Sequence, residues 1–339
     1  MRIQYLLLTS LFAAAGFAAV PPDIETQLKE MGRVVNPAGT AKLYRPLQPK
    51  APYPGVKVDR DIKYFTDERT VLDVFSPEKG GGSRPVLIYV SGGAGNKIEP
   101  VPDGDAFYDN IMLWAVKNGM TGVNVQRRGG QGLEWDEPAK DIGRVIEWAQ
   151  QNIAKYKGNP NRMFIWCHSA GNIPVSTYIG HPEFYGPKGV GVKGVVFMAA
   201  PNFNIAPVVV PGRGGPGGPP KGGPPPDGKG GPPPEGKGGG KGKGGGRGAP
   251  LDPATQLARS NLPGLLKVNI PIFLASGELD PAGMAEFNNI LKDQLCMAGH
   301  CPTVMVFKDH SHMSEVFSPN TADDTVTAPI LKWMKSVKK

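Results

Sequence analysis

The sequence predicts an α/β fold: a mostly parallel, doubly wound sheet flanked by helices. Three observations carry that prediction. Pro85-Val86-Leu87-Ile88-Tyr89-Val90 is almost continuously apolar, as in a strand buried on both faces. Ile142, Val145, Ile146, Ala149 and Ile153 fall at i, i+3, i+4, i+7 and i+11, along one side of a helix. Met163-Phe164-Ile165-Trp166-Cys167 runs straight into His168-Ser169-Ala170-Gly171-Asn172, where an apolar strand gives way to small residues and then to a helix.

A chain of 339 residues can hold one large α/β domain or two small ones. Its formal net charge is +8, but the charge is unevenly placed. The segment 211–250 holds 19 of the 47 glycines, 11 of the 36 prolines, and seven basic residues against Asp227 and Glu235. The rest of the chain is close to neutral, so the basic balance does not predict a nucleic-acid-binding fold. The same segment repeats an octad, from Lys221 and again from Lys229, and breaks the glycine register of collagen at Lys221. With almost no apolar residues it cannot bury a core. It is expected to be a disordered basic insertion within a single domain formed by residues 19–210 and 251–339.

The N-terminus reads as a secretory signal. Arg2 precedes an apolar run from Tyr5 to Val20, and Gly16 and Ala18 fit positions −3 and −1 of a cleavage site. Cleavage is expected near Ala18, which predicts a secreted or periplasmic protein with no stable membrane anchor. In an oxidising compartment, Cys296 and Cys301 form either a small disulfide loop or two unpaired thiols. Cys167 is left over in a buried strand, where a cysteine acts as a small hydrophobe.

The elements follow in order. Residues 21–55 are polar and proline-rich, with a helix near Ile24–Met31, and are expected to pack on the outside of the domain. Strands are predicted over Val56–Tyr64, Val71–Phe75 and Pro85–Val90. A glycine-rich loop, Ser91-Gly92-Gly93-Ala94-Gly95, comes next. Its spacing matches neither phosphate-binding motif, and no cofactor or metal is expected. A helix over Ala106–Asn118 leads to a strand at Gly122–Gln126. The helix around Ile142–Ile153 ends before Gly158-Asn159-Pro160, and a strand then runs to Ser169. After a helix to Tyr178 and a strand at Val192–Ala199 comes the insertion. Pro271–Ser276 is a strand ending at Gly277-Glu278-Leu279-Asp280. Met284, Phe287, Ile290, Leu291 and Leu295 mark the inner stripe of a helix, and Thr303–Phe307 is the last strand. Val326, Ile330, Trp333, Met334 and Val337 line the inner side of a final helix.

The chemistry-bearing residues occur in the order glycine loop, Ser169, Asp280, His310/His312. Each lies just past the end of a predicted strand, where open α/β sheets place their sites. A hydroxyl on a strained turn, an imidazole and a carboxylate form a set for nucleophilic acyl transfer.

Taken together, Leu72-Asp73-Val74-Phe75-Ser76-Pro77, Ser91–Gly95, Asn161–Gly171, Ser276–Asp280 and His310-Ser311-His312-Met313-Ser314 resemble the α/β-hydrolase superfamily. Within it they are most similar to bacterial secreted carboxylesterases and lipases related to feruloyl esterases. The resemblance covers roughly 56–206 and 251–334. It implies the α/β-hydrolase fold and a secreted serine esterase acting on a small-molecule ester. Ser169 would be the nucleophile, His312 the base, and Asp280 the acid that orients it. The backbone N–H groups of Gly93, Ala94 and Ala170 would form the oxyanion hole. His310 is the alternative base and Glu278 the alternative acid, while His168 is expected to be structural. Three positions depart from the family pattern. Cys167 replaces the first glycine of G-x-S-x-G, Ser91 replaces a histidine, and Gln126-Arg127-Arg128 stands where relatives often carry Tyr-Arg-Leu. Arg127 is expected to be a structural ion-pair residue.

Two other readings compete. A serine peptidase or amidase on the same fold would share the whole set of reacting groups. A non-catalytic protein that attaches to an anionic surface polymer through the basic insertion would not need that set. The sequence does not bear on oligomeric state.

Overall fold

The computed structural model describes residues 19–130, 132–205 and 251–338. The expected signal peptide (1–18) and the expected insertion (211–250) lie outside the described residues. The chain divides into two compact units. The larger runs up to Asn204 and resumes at Asn261; the smaller is Ile205–Ser260.

The larger unit is an eight-stranded sheet. Its strands are β1 (Val56–Lys63), β2 (Val71–Pro77), β3 (Arg84–Val90), β4 (Thr121–Val125), β5 (Gly158–His168), β6 (Gly194–Met198), β7 (Ile272–Leu279) and β8 (Thr303–Ser311), in the spatial order β1-β2-β4-β3-β5-β6-β7-β8. β2 runs antiparallel to both neighbours, and every other pair is parallel. The helices are α1 (Pro22–Met31), α2 (Pro37–Tyr44), α3 (Asp109–Lys117), α4 (Glu137–Asn152), α5 (Asn172–Gly180), α6 (Pro253–Ala258), α7 (Leu262–Leu265), α8 (Met284–Met297), α9 (Ser314–Phe317) and α10 (Thr327–Ser336). Only α6 belongs to the smaller unit, where the Asp252 carboxylate caps it by accepting from the Thr255 N–H at 3.0 Å. No helix among the described residues is long and apolar enough to cross a membrane.

Strand periodicity sends alternate side chains to opposite faces of the sheet. On β5, Phe164 and Trp166 join a buried cluster with residues of α1, α3 and α10. Trp114 of α3 and Tyr89 of β3 meet Trp166 edge to face, and Trp333 of α10 does the same to Phe164 and Phe273. Ile165 and Cys167, on the other face, are equally buried. α4 and α5 pack on β5 and on each other.

The lead-in segment departs from the expectation that it lies outside. Ile24, Leu28, Ala41 and Tyr44 are buried members of the core cluster. The Gln48 amide is buried and donates to the carbonyls of Phe317 and Pro319, each at 2.9 Å. α2 carries too few apolar residues to show a periodicity; what starts it is the Asn36 side chain, which accepts from the Gly39 N–H at 2.9 Å. α8 is also less apolar inside than its stripe suggests. Leu291 and Leu295 are buried beside Asn288, whose amide donates to the Ala275 carbonyl at 2.8 Å.

Candidate active site

The parallel register of the central strands brings two loops together. Val90 pairs with Cys167, so the residues that follow this pair, Ser91-Gly92 and His168-Ser169, run side by side as the two strands end. Ser169 has φ +51°, a left-handed conformation that L-residues rarely adopt outside strained turns. The chain then enters a short 3₁₀ turn, Ser169–Gly171, and α5. Glycine is required where these segments touch. A Cβ on Gly92 would lie 2.7 Å from Ser169 Cβ, and one on Gly171 would lie 2.5 Å from the Val90 carbonyl oxygen. The Asn172 amide fastens the turn, donating to the carbonyls of Ser169 at 2.7 Å and Met198 at 2.8 Å. Cys167 needs no glycine-like freedom. Its buried Sγ lies 3.3 Å from the Val196 carbonyl and 3.4 Å from Asn172 Oδ1, and burial pushes its thiol pKa well up.

At the other side of the site, β7 and β8 are in register until an irregularity between Gly277 and Leu279, after which Leu279 pairs with Ser311. The next residues of the two chains are Asp280 and, one step on, His312. His312 Nδ1 donates to Asp280 Oδ1 at 2.9 Å. Its Nε2 therefore accepts from the Ser169 hydroxyl, also at 2.9 Å. The second Asp280 oxygen accepts from the Gly277 N–H at 2.9 Å. His312 and Asp280 are buried, whereas Ser169 keeps partial access to solvent.

The runner-up residues have other partners. His310 bonds Ser314 Oγ at 3.0 Å and Thr325 Oγ1 at 2.7 Å, and lies 3.3 Å from Asp323. It thus fixes the turn that presents His312. Glu278 accepts from the Asp309 N–H at 2.9 Å. His168 donates through Nε2 to the backbone carbonyl of His312 at 2.8 Å, and the two rings lie 4.6 Å apart. Burial, then the neighbouring His312, holds the His168 pKa well below the usual histidine range, so it is a neutral donor. Behind it is Glu315, fully buried, with neither carboxyl oxygen hydrogen-bonded. Its Oε2 is 3.8 Å from His168 Nε2, and burial, followed by the charge of Asp280, raises its pKa well above the carboxylate range. His168, His312 and Glu315 bring ligand atoms within 4.8 Å of one another. Both ring nitrogens of His312 are already engaged with Ser169 and Asp280, so the group supports the imidazole rather than forming a free metal cradle.

Gly93 and Ala94 are exposed at the tip of the glycine loop, Gly93 with φ +50°, and Gly95 N–H closes the turn on the Gly92 carbonyl at 2.9 Å. Among the described residues, neither the Gly93 nor the Ala94 N–H donates to another protein group. Free amides in a loop that packs on Ser169 through Gly92 are what an oxyanion hole needs. The Ser91 hydroxyl donates to the Asn96 carbonyl at 2.5 Å, within the loop. Arg127 corrects an expectation: it forms no ion pair among the described residues. Arg128 takes the available acids instead, bonding Asp141 at 2.7 Å and pairing with Glu137. Cys296 and Cys301 are joined as a disulfide. The residues that sequence reasoning passed over are Gly92, Asn172 and Glu315. Gly92 could have been found from the close approach a nucleophile turn demands, whereas no local signal marks Glu315.

A hydroxyl bonded to an imidazole, a carboxylate behind the imidazole and free amides in front form an arrangement for acyl transfer. With the antiparallel second strand and the serine turn after β5, these define the α/β-hydrolase fold. A family model described as BD-FAE matches residues 72–174. Carboxylesterase 3B of Mus musculus is 23% identical over 229 residues, 53% of this chain and 40% of that protein. Cocaine esterase of Homo sapiens is 31% identical over 128 residues, 35% of this chain and 22% of that protein. The chain thus spans well under half the length of these curated relatives. Among solved structures, esterase B from Lactobacillus rhamnosis superposes with a TM-score of 0.60 at 12% identity, covering 93% of this chain and 94% of that one. Esterase 2 of Thermogutta terrifontis, phosphorylated by paraoxon, gives 0.53 at 14%, covering 83% and 92%.

Proposed function

We propose that this chain is a serine hydrolase that cleaves carboxylic esters through an acyl-enzyme intermediate. The observation that carries the reading is the unbroken line from Ser169 Oγ to His312 Nε2, and from Nδ1 to Asp280, at 2.9 Å each. Ser169 attacks the ester carbonyl as His312 takes its proton. Asp280 holds the imidazole in the required tautomer and stabilises its charged form. The N–H groups of Gly93, Ala94 and Ala170 receive the oxyanion, where loss of one donor typically costs about 3 kcal/mol of transition-state stabilisation. His312 then protonates the leaving alcohol, and water reverses the sequence. The esterase names of the relatives, and the tributyrin-phosphonate-inhibited esterase B among the fold's neighbours, support a small-molecule ester as substrate. The feruloyl-esterase-like subgroup and export through the N-terminal apolar stretch belong to the same proposal.

The test is to label the purified protein with a fluorophosphonate, map the adduct, and assay a panel of esters and matched amides. An adduct on Ser169, lost in Ser169→Ala together with ester turnover, is the expected result. Folded protein with no adduct overturns the reading, and faster cleavage of amides than esters would move it to the peptidase or amidase class.

A further inference from the structure

Arg127 is a buried cation that pairs with no carboxylate among the described residues. It follows β4 and is 4% exposed. Among the described residues its guanidinium makes two long contacts, to the carbonyls of Ser91 and Arg128, each at 3.3 Å, and its Nε has no hydrogen-bond partner. The charged or titratable groups that act on it are Tyr64, Arg69, Asp141 and Cys167. The one carboxylate among them, Asp141, is held by Arg128 at 2.7 Å and Arg144 at 2.6 Å. Burying an ion without a partner is costly, and natural folds pair or hydrate such groups. Without a paired carboxylate, the field of such a group is free to act on charge that develops elsewhere.

The surroundings show where that charge would appear. Arg127 lies under the glycine loop. Its N–H donates to the Gly95 carbonyl at 3.0 Å, and a Cβ on Gly95 would come within 2.6 Å of its Cγ. Its other contact, the Ser91 carbonyl, is 2.6 Å from where a Cβ on Gly171 would stand, in the turn of Ser169. The next residue, Gly92, packs on Ser169 itself. A second guanidinium, Arg69, donates to the Ala94 carbonyl at 2.7 Å and the Gly129 carbonyl at 3.0 Å. The Ser91–Gly95 loop is therefore backed by positive charge, buried at Arg127 and partly exposed at Arg69. At a buried group, charge acts more strongly than in water.

We propose that Arg127 is a positioning residue whose unpaired buried charge, transmitted through the Ser91–Gly95 loop, favours the oxyanion of the acyl-transfer transition state over the neutral ester. The inference rests on the ester-hydrolase reading above. It separates charge from scaffolding. A scaffolding residue loses stability when removed. Removing an unpaired buried charge leaves stability unchanged or raises it, while the transition state loses its counter-charge.

The experiment compares the full chain with Arg127→Met, similar in length but neutral, and Arg127→Lys, which keeps the charge. It measures kcat and KM on a neutral ester, the Tm, and the rate of fluorophosphonate labelling at Ser169. Arg127→Met is expected to lower kcat and the labelling rate at least tenfold, with KM within about twofold and Tm no lower than wild type. Arg127→Lys is expected to keep kcat within about threefold. An unchanged kcat in Arg127→Met overturns the inference, as does a Lys variant that falls as far as the Met variant. If Arg127→Met does not fold, Arg127→Lys decides alone: a folded Lys variant with kcat down more than tenfold overturns it. Wild-type protein that neither turns over esters nor labels at Ser169 overturns the hydrolase reading itself. A labelled, active wild type with an equally active Met variant overturns only the role of Arg127.

Discussion

Glu315 is the residue whose chemistry departs most from its surroundings. A carboxyl with no hydrogen-bond partner in a fully buried position keeps its proton, and burial raises its pKa well above the usual range. In the unfolded chain the same group ionises near about 4.3. A folded-state pKa above the unfolded one contributes stability that is present at low pH and lost as pH rises between the two values. Glu315→Gln cannot ionise and carries no such loss. The Tm of Glu315→Gln relative to wild type is therefore expected to rise between pH 4 and pH 8; a flat difference would show that the carboxyl is not held protonated. The sequence singles out Ser169, Asp280 and His312 as candidates because acyl-transfer chemistry would fix both residue type and order, and the structure brings the three side chains together. Glu315 was not, because a lone acid three residues past a histidine looks like any solvated acid until its burial is seen. Arg127 and Arg128 were indistinguishable as neighbours, and only the position of Asp141 on α4 decides which of them pairs.

At the scale of elements, the site is a matter of register. The pairing of Val90 with Cys167 and of Leu279 with Ser311 aims two loop ends at one point. The central strands were readable because both of their faces are buried, which leaves long apolar runs, while the edge strand β1 shows itself by alternation. The helix near Ile24–Met31 was readable and is α1, whereas α2 and the burial of the lead-in segment were not, since its contacts to the core come from scattered single residues such as Leu28, Tyr44 and Gln48. The glycine loop has the least room for change. Gly92→Ala would place a methyl group 2.7 Å from Ser169 Cβ, so either the loop or the serine turn must shift. A misplacement of this kind near reacting atoms typically costs on the order of 100-fold in rate. Gly92→Ala is expected to lower kcat by at least tenfold while the protein still folds, as kinetics and circular dichroism would report. Wild-type kcat in that variant would mean that the loop does not face the reacting hydroxyl.

At the scale of the molecule, one hydrogen bond has a large effect. The Asn261 N–H donates to the Asn204 carbonyl at 2.9 Å, so the main unit closes on itself where the chain leaves and where it returns. The Asn261 amide reinforces the seam, donating to the Phe203 carbonyl at 2.7 Å and to the hydroxyls of Ser176 and Thr177 at 3.1 Å each. Segment 211–250 has almost no apolar side chains to bury. Replacing it with a short Gly-Ser linker is expected to leave the Tm within about 2 °C and ester turnover within about twofold; a large fall in Tm would show that the segment supports the core. For a closed loop, each doubling of length costs only about 0.6 kcal/mol. The Asn204–Asn261 seam therefore works as a socket in the fold. A reporter or an anchor that a protein engineer splices there is expected to leave undisturbed the packing that aims Ser169.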